Sequence, residues 1–287
     1  MIDEMRPSYP VPALARALSV SSSGYYAWRT RPQSRRKRED ARLAIEITAA
    51  HRRNRATYGP ERLQKDLEDH GIQVGVCRIK RLRTELGLRC KQRRKFKATT
   101  NSNHNHSISP NLLKQDFSTE APNQVWVGDI THITTDEGWL YLAGHKDLHT
   151  GEIVGYAMSD RMTKNLVTQS LISAVNRKRP SPSIIHHTDR GSQYCSREYR
   201  KMLRLFGMRA SMSRKANCYD NAPMESFWGT LKTELTYHRN YRTRQEAIRD
   251  IQEYIEIFYN RQRKQKRLGY LSPAAYEQRC HQVGKVA

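Results

Sequence analysis

The sequence predicts an α/β protein in which a mixed five-stranded sheet, flanked by helices, follows an all-α amino-terminal region of the helix-turn-helix type. Between residues 123 and 158, apolar residues fall in three short segments separated by turn residues, which is typical of a strand meander. From residue 163 onward, helical and strand-like segments alternate, and this order favours helices packed on a mixed sheet. Before residue 90, apolar residues recur instead at helical spacing.

The first region, residues 1–38, is predicted to hold two short helices within residues 11–30. The serines between them offer a tight turn and an N-cap, so the pair suggests a helix-turn-helix, and a plain helical hairpin is an equally good interpretation. Tyr25 and Tyr26, in the second helix, are candidate DNA contacts. The basic run RPQSRRKR at 31–38 is predicted to be a linker.

A second helical region, residues 39–97, is predicted to be a basic DNA-binding domain. Apolar spacing predicts one helix over 40–54, another that closes at Gly71, and a third over 76–88. The third helix has an apolar face and carries cations on its other faces, so it could lie along a DNA groove or backbone. A basic face that is merely solvated is the alternative. The candidate contacts are Arg78, Lys80, Arg81 and Arg83.

Residues 98–120 are predicted to link the helical region to the next domain. The stretch TTNSNHNHSISP is polar and poor in large apolar residues, so it cannot form a core. Its histidines, His104 and His106, have no further Cys or His nearby in the sequence to complete a tetrahedral set. We therefore expect them to be loop residues rather than metal ligands.

The remaining residues, 121–287, are predicted to form the sheet domain and its carboxyl-terminal helices. Asp-Glu-Gly and His-Thr-Gly turns separate the first three strands, and two prolines end the helix that follows them. The predicted strands are 125–134, 139–147, 153–158, 184–187 and 209–212, and the predicted helices are 163–178, 196–206, 222–236 and 243–262.

Composition points to a polyanionic partner. The chain carries 51 Lys and Arg against 28 Asp and Glu, a formal net charge of +23, with a pI of about 10.1, which is typical of proteins that bind nucleic acid. An acidic membrane surface is the competing polyanion, but the sequence has no run of about 18 apolar residues and no signal-peptide core. The five cysteines are scattered without a C-x-x-C pair. We therefore expect a reducing cytoplasm, no disulfide framework and no Cys-rich zinc site.

Three acidic residues are the candidate catalytic groups. Asp129 lies inside an apolar strand, Asp189 comes where the fourth strand ends, and Glu225 lies in the first turn of a helix. Each has an ordinary alternative, namely a strand-edge Asp facing water, a helix N-cap and a surface Glu favoured by the helix dipole. Hard divalent cations take carboxylate oxygens, and a metal pair can hold both the attacking and the leaving oxygen of a phosphodiester. Lys232, two helical turns beyond Glu225, is a candidate phosphate contact on the same face.

These patterns, in this order, resemble the catalytic core of the retroviral-integrase and DDE-transposase superfamily. The likeness is greatest to the second-frame (OrfB-type) product of insertion-sequence transposases of the copy-out, paste-in type. It covers nearly the whole chain, because the Gly24-Tyr25-Tyr26-x-Trp28 and Leu271-Ser272-Pro273 segments also match. The stretches that carry it are Gln124-x-Trp126-x-x-Asp129-Ile130-Thr131, His187-Thr188-Asp189-Arg190-Gly191-Ser192-Gln193-Tyr194 and Asn221-Ala222-x-x-Glu225-Ser226-Phe227-x-x-x-Leu231-Lys232.

The resemblance implies an RNase H-like fold in which Asp129, Asp189 and Glu225 hold a pair of Mg²⁺ ions, which Mn²⁺ can replace. It implies hydrolysis at a transposon end, which frees a 3′-hydroxyl, and then attack of that hydroxyl on another phosphodiester. The expected partners are transposon-end and target DNA, further copies of the chain, and a fused or separate first-frame product. The expected location is the cytoplasm, at the nucleoid. Further candidate DNA contacts in these stretches are His187, Arg190 and Gln193.

Two departures from the related proteins matter. Retroviral integrases carry an amino-terminal His₂Cys₂ zinc module, and no such spacing occurs in this sequence, so zinc is not expected. The first-frame product normally carries a further helix-turn-helix and an oligomerising zipper, whereas this sequence has no sustained heptad repeat. Two other functions stay open: an RNase H-fold nuclease without strand transfer, and a non-catalytic DNA-binding regulator. The intact acidic triad disfavours the regulator.

Overall fold

The amino-terminal part of the chain is helical. A computed structural model describes residues 1–91, 108–214 and 217–283. The serine N-cap predicted between the two short helices is present, because Ser21 Oγ accepts a hydrogen bond from Gly24 N at 2.9 Å at the start of the third helix. The helices are α1 (Ile2–Met5), α2 (Val11–Ala17), α3 (Ser22–Thr30), α4 (Arg35–Arg53), α5 (Pro60–Asp69) and α6 (Val76–Glu85).

The structure corrects the predicted linker at 31–38, because its second half is the start of α4. Ser34 caps this helix by accepting a hydrogen bond from Lys37 N at 3.2 Å. Arg35 then forms an ion pair with Glu39, one turn further on, at 3.0 Å. A serine cap followed by good helix formers and an i,i+4 ion pair favours helix over linker.

Helices α4, α5 and α6 pack on one another, with Ile47, Leu63 and Ile79 fully buried between them. Their apolar core is continuous with that of the sheet domain. Tyr58 lies at this junction, where its hydroxyl accepts a hydrogen bond from the backbone N–H of Lys264 at 2.6 Å. The helical region therefore rests against the carboxyl-terminal part of the chain.

The sheet has five strands in the order β3-β2-β1-β4-β5. The first three strands form an antiparallel meander, whereas β4 and β5 pair parallel to β1 and to each other. This mixed sheet confirms the predicted RNase H-like architecture. The strands are β1 (Val125–Thr135), β2 (Gly138–Asp147), β3 (Ile153–Ser159), β4 (Ile185–Thr188) and β5 (Arg209–Met212).

Helices cover both faces of the sheet. On one face, α7 and α8 bury a cluster that includes Trp126, Leu171 and Tyr199. On the other face, α9 and α10 pack over Val127 and Leu142, beside the amino-terminal helices. These helices are α7 (Lys164–Lys178), α8 (Arg197–Leu205), α9 (Ala222–Glu234), α10 (Arg244–Glu253) and, near the carboxyl terminus, α11 (Pro273–Val283).

The described part of the predicted linker packs against the sheet domain. Leu113 is buried in the core, and the backbone N–H of Leu112 donates to Ser211 Oγ at 2.9 Å. The polar composition of the segment does not predict this packing, because a single buried apolar side chain and a few hydrogen bonds are enough to hold the segment against the sheet domain. His104 and His106 lie outside the described residues.

The helix predicted over 243–262 changes character halfway. After α10 ends at Glu253, residues Tyr254–Gln262 form a π-helix. The wider i→i+5 turn brings Tyr254 and Tyr259, both buried, to a ring separation of 6.3 Å. Apolar spacing alone does not distinguish such a turn from an α-helix. Across residues 1–91, 108–214 and 217–283, no helix combines the length and the apolar character that crossing a membrane requires.

Candidate active site

Asp129 lies in the middle strand of the sheet, on the face that α9 covers. Its Oδ1 accepts a hydrogen bond from Ile130 N at 2.8 Å. Its Oδ2 accepts a hydrogen bond from the indole Nε1 of Trp228 in α9 at 3.1 Å. The side chain is half-buried, and these two donors fix the orientation of its carboxylate.

Asp189 lies beside Asp129 at the end of the neighbouring strand. Gly128 and Thr188 are partners in the parallel pairing of β1 with β4. The residues that follow them therefore reach the same level of the sheet. Asp189 Oδ1 accepts a hydrogen bond from Gly191 N at 2.9 Å, which closes a tight turn that keeps the carboxylate at the sheet edge.

Glu225 lies in the first turn of α9, as predicted, and is exposed. Two buried side chains hold the start of α9 against the sheet. Asn221 Nδ2 donates to the carbonyl oxygen of Gly128 at 3.2 Å, and Lys146 Nζ donates to the carbonyl oxygen of Pro223 at 3.1 Å. Glu225 is therefore carried on a helix end that is tied to the strand of Asp129.

A glycine in β2 allows α9 to approach the sheet closely. A Cβ atom at Gly144 would lie 3.1 Å from Cη2 of Trp228 and 3.1 Å from Cε of Met224. A larger residue at this position would push the helix outward. Gly144 thereby permits the contact between the indole of Trp228 and Asp129.

The three carboxylates act on one another. Burial raises the pKa of Asp129 well above its ordinary value, and the charges of Asp189 and Glu225 raise it further. Burial also raises the pKa of Glu225, although its side chain reaches solvent. A negative charge on Asp129 is thus opposed by its surroundings, which is the situation that a bound cation relieves.

This donor set fits a divalent metal ion, since hard cations take carboxylate oxygens. A fold of the integrase type likewise implies use of a divalent metal. Within the described ranges, however, no three Asp, Glu, His or Cys side chains converge as a complete set of ligands.

The segment before α9 is anchored by Asp220, which is fully buried. Its carboxylate accepts hydrogen bonds from Arg214 Nη2, Asn111 Nδ2 and Gln115 Nε2, each at 2.9 Å. The hydrogen bonds from Arg214 hold the pKa of Asp220 well below its ordinary value. One carboxylate thus joins the residues before β1 to the turn that leads into α9.

Lys232 lies on α9 within the field of Asp129. Burial lowers the pKa of Lys232, and the negative charge of Asp129 opposes this effect. The ammonium group is mostly buried, whereas Glu225 on the same helix is exposed. The two side chains therefore differ in their access to solvent, and the predicted DNA contact of Lys232 stays a prediction.

The other predicted contacts near the carboxylates have varied surroundings. His187 is fully buried and shares hydrogen bonds with the hydroxyls of Ser211 and Ser213 at 2.8 and 3.2 Å. Arg190 Nε donates to the carbonyl oxygen of Ser213 at 2.6 Å. Gln193 Nε2 donates to the carbonyl oxygen of Met162 at 3.3 Å. His187 therefore braces β5 from inside the protein, where DNA does not reach it.

In α6, the predicted DNA-binding arginines already have acidic partners. Arg78 and Arg81 form ion pairs with Asp40 of α4 at 2.7 and 2.6 Å. Arg83 donates to Cys90 Sγ at 3.1 Å, and Lys80 is exposed. The two ion pairs with Asp40 join α6 to α4. DNA would therefore have to compete with Asp40 for two of the four side chains.

The two predicted tyrosines in α3 differ sharply. Tyr25 is buried, and its hydroxyl donates to Asp3 Oδ1 at 2.7 Å. Tyr26 is 48% exposed, so only the second of the pair can reach a partner without rearrangement.

Sequence reasoning missed Trp228, Asn221 and Lys146 as supports of the site. Trp228 follows Glu225 by three positions, so both lie on one helix face. That spacing was the only available signal for Trp228. The contacts of Asn221 and Lys146 join residues from distant parts of the chain, and no local pattern predicts them.

Comparison with known proteins relates the whole chain to mobile DNA elements. A family model described as "Integrase core domain" matches residues 119–218, a second with that description matches 225–280, and an "HTH-like domain" matches 37–96. The "Insertion element IS600 uncharacterized 31 kDa protein" of Shigella sonnei is 57% identical over 94% of this chain and 99% of its own length. The "Transposase InsF for insertion sequence IS3A" of Escherichia coli (strain K12) is 39% identical over 96% of each chain.

Among solved structures, the HTLV-2 integrase catalytic core domain in complex with magnesium is similar to this chain. It shares 16% sequence identity and a TM-score of 0.43, covering 55% of this chain and 97% of its own.

Proposed function

Because this chain belongs to the family of insertion-sequence transposases with an integrase core, we propose that it cuts DNA at the ends of an insertion sequence and transfers the freed strand to a second DNA site. In the first step, the oxygen of a water molecule bonds to the phosphorus at the end and stays on the 5′-phosphate of the flanking strand, while the 3′-oxygen of the element leaves and takes up a proton. In the second step, the resulting 3′-hydroxyl loses its proton and its oxygen bonds to a phosphorus of the target strand, while the 3′-oxygen of the target leaves and is protonated.

The neighbouring positions of Asp129, Asp189 and Glu225 support this proposal. We propose that their carboxylates hold a pair of Mg²⁺ ions, with Mn²⁺ as a substitute, because burial and the charges of Asp189 and Glu225 otherwise oppose the charge on Asp129. When bound, the ions stabilise negative charge on the oxygens of the phosphodiester. The protein need not supply a covalent nucleophile.

The chain's own contribution is to orient these groups. Trp228 holds one oxygen of Asp129 by a hydrogen bond, which leaves the rest of the carboxylate for its catalytic role. Asn221 and Lys146 fix the start of α9, and with it Glu225, against the sheet. Such positioning lowers the barrier because the reacting groups need not reorganise.

The proposal is tested with purified protein, Mg²⁺ or Mn²⁺ and DNA that carries the insertion-sequence end. We expect joined strands from the wild-type protein. Glu225→Gln should abolish joining and leave DNA binding intact, because it removes one carboxylate charge without changing the shape of the side chain. Joining by Glu225→Gln at the wild-type rate would remove the catalytic assignment.

A matched control is Glu246→Gln, since Glu246 also lies in the first turn of a helix, α10. This variant should join strands normally. Analysis of the products also distinguishes a transposase from the two alternative functions. Nicked but unjoined DNA would indicate a nuclease, and the absence of any cleavage in metal would indicate a DNA-binding regulator.

The partners and organisation follow from the same proposal. Two ends must be held together for joining, so we propose that the chain acts as an oligomer, with a fused or separate first-frame product that recognises the ends. Residues 39–97 are proposed to bind DNA as a basic helical domain, and residues 121–287 to carry the chemistry. We propose that the protein works at the nucleoid in the cytoplasm.

A further inference from the structure

Helix α8 carries a row of cations that the proposed function leaves unused. Arg197, Lys201 and Arg204 are spaced i, i+4 and i+7, so they lie on one face of the helix, and all three are exposed. The opposite face buries Tyr199 and Leu203 against the sheet. We call the three cations the α8 ridge.

Within residues 1–91, 108–214 and 217–283, none of the three side chains of the ridge forms an ion pair. The charge of Arg197 acts on the adjacent Glu198 without forming such a pair. The one carboxylate on α8, Glu198, is engaged by Lys164 Nζ at 2.6 Å. In α6, by contrast, Arg78 and Arg81 both form ion pairs with Asp40.

This arrangement has an electrostatic cost for the free protein. Like charges one turn apart on a helix repel each other and destabilise it. A polyanion laid along the helix would remove that repulsion. An unpaired basic ridge is therefore complementary to a row of phosphates, and less so to a second copy of the same basic surface.

The position of the ridge also suits DNA bound at the carboxylates. The chain passes from Asp189 through a short loop directly into α8, whose cap is Ser196. From Arg197 to Arg204 the helix rises about 10 Å. One strand of duplex DNA carries a phosphate about every 3.4 Å along the axis, so the ridge spans roughly three phosphates.

We infer that the α8 ridge binds the phosphate backbone of duplex DNA that extends from the cleavage site. The inference rests on the proposed function for the identity of the DNA as transposon end or target. The contact is independent of base sequence, because exposed side chains of Lys and Arg bind phosphates as charges. Its role is to hold the duplex in register while strand transfer takes place.

The test measures DNA affinity as a function of salt for the full-length chain, with a chelator present so that no cleavage occurs. The variant is Arg197→Gln, Lys201→Gln and Arg204→Gln combined. Each lost phosphate contact should lower the slope of log affinity against log salt by about 0.9, so the slope should fall by about 2.7. Between 50 and 200 mM salt, the wild-type affinity should then drop about 40-fold more than that of the variant.

A matched control removes the same charge elsewhere. Arg249, Arg261 and Arg279 are exposed on α10, the π-helix and α11. Their combined change to Gln should alter the slope of log affinity against log salt by less than about 0.9, the value of one phosphate contact. An equal fall in both triple variants would overturn the inference, because the effect would then follow net charge. If the α8 triple variant does not fold, each single variant should lower the slope by about 0.9, and unchanged slopes would overturn the inference.

A further arm compares two DNA molecules of equal length, a duplex with the insertion-sequence end and an unrelated duplex. The α8 triple variant should lose affinity for both, because the contact does not depend on base sequence. A loss confined to the terminal duplex would mean that the ridge reads sequence, and the inference would fail. An unaltered slope with a changed oligomeric state would instead make this face a contact between copies, and the inference would fail. Strand joining is assayed separately in Mg²⁺, so a ridge that binds DNA in a protein that joins nothing would refute the proposed function alone.

Discussion

Replacing Arg263 by methionine should destabilise the protein strongly, because it leaves a buried carboxylate without its cation. Arg263 and Glu234 are only 8% and 6% exposed. The guanidinium donates from Nη2 to Glu234 Oε1 at 2.7 Å and from Nε to Oε2 at 2.9 Å. Burial opposes the charge on Arg263, yet Glu234 raises the pKa of Arg263 above its ordinary value.

The magnitude follows from this burial. Removing one member of a buried ion pair costs about 3–5 kcal/mol, because the remaining charge is desolvated and unpaired. In a chain of this size, each kcal/mol lowers the melting temperature by about 2–4 °C, so Arg263→Met should melt roughly 6–20 °C below the wild type. Glu234 ends α9, the helix that carries Glu225, so loosening this contact would also affect the position of Glu225, which we propose to be catalytic.

A double-mutant cycle measured by urea denaturation checks the reasoning. Adding Glu234→Gln to Arg263→Met removes the stranded charge, while the amide can still accept the hydrogen bond that Tyr254 now donates to Glu234 at 2.6 Å. The double variant should therefore be more stable than Arg263→Met by about 2 kcal/mol. As a control, the exposed Arg249→Met should stay within about 0.5 kcal/mol of the wild type. A cost below about 1 kcal/mol for Arg263→Met, or simple additivity in the cycle, would refute the argument.

Three other outcomes are expected. Trp228→Phe removes the donor to Asp129 and should slow strand joining roughly 10- to 100-fold, with DNA affinity unchanged, as joining and binding assays would show. Gly155→Ala would place a Cβ atom 2.3 Å from Ala174 N and should lower the free energy of unfolding by about 1–3 kcal/mol in urea. Burial lowers the pKa of Lys146 to about 7, so the unfolded state binds more protons above that pH. Wild-type stability should therefore rise relative to Lys146→Met by roughly 2 kcal/mol between pH 7 and 9, and a flat difference would contradict this assignment.

Local patterns were enough to predict the elements of the sheet domain. The β5 strand has the predicted bounds, Arg209–Met212, and the settings of Asp129, Asp189 and Glu225 in a strand, at a strand end and in a helix start agree with the structure. These predictions succeed because burial alternates along a strand and recurs every turn along a helix, so the signal lies within a few neighbouring residues.

Patterns of charge predicted the DNA-contact residues less well than apolar patterns predicted the helices and strands. The row of arginines in α6 suggests a DNA surface, but Asp40, far away in sequence, pairs with two of them. On α8, by contrast, Arg197, Lys201 and Arg204 form no ion pair with any residue in the described ranges, although nothing in their local sequence distinguishes them from the arginines of α6. Whether a charged side chain can bind a ligand depends on the charged residues beside it in space, and these often belong to other helices or strands.

Residue types at short spacing were enough to predict the fold class and the family, and to select three carboxylates as candidates. The side chains that support these carboxylates, and the cations that are open to a ligand, became visible with the packing of the folded chain. The contacts of Trp228 with Asp129 and of Asn221 with Gly128 cross 99 and 93 positions of the chain. Such contacts are set by how helices pack on the sheet, and packing is a property of the whole chain rather than of any segment.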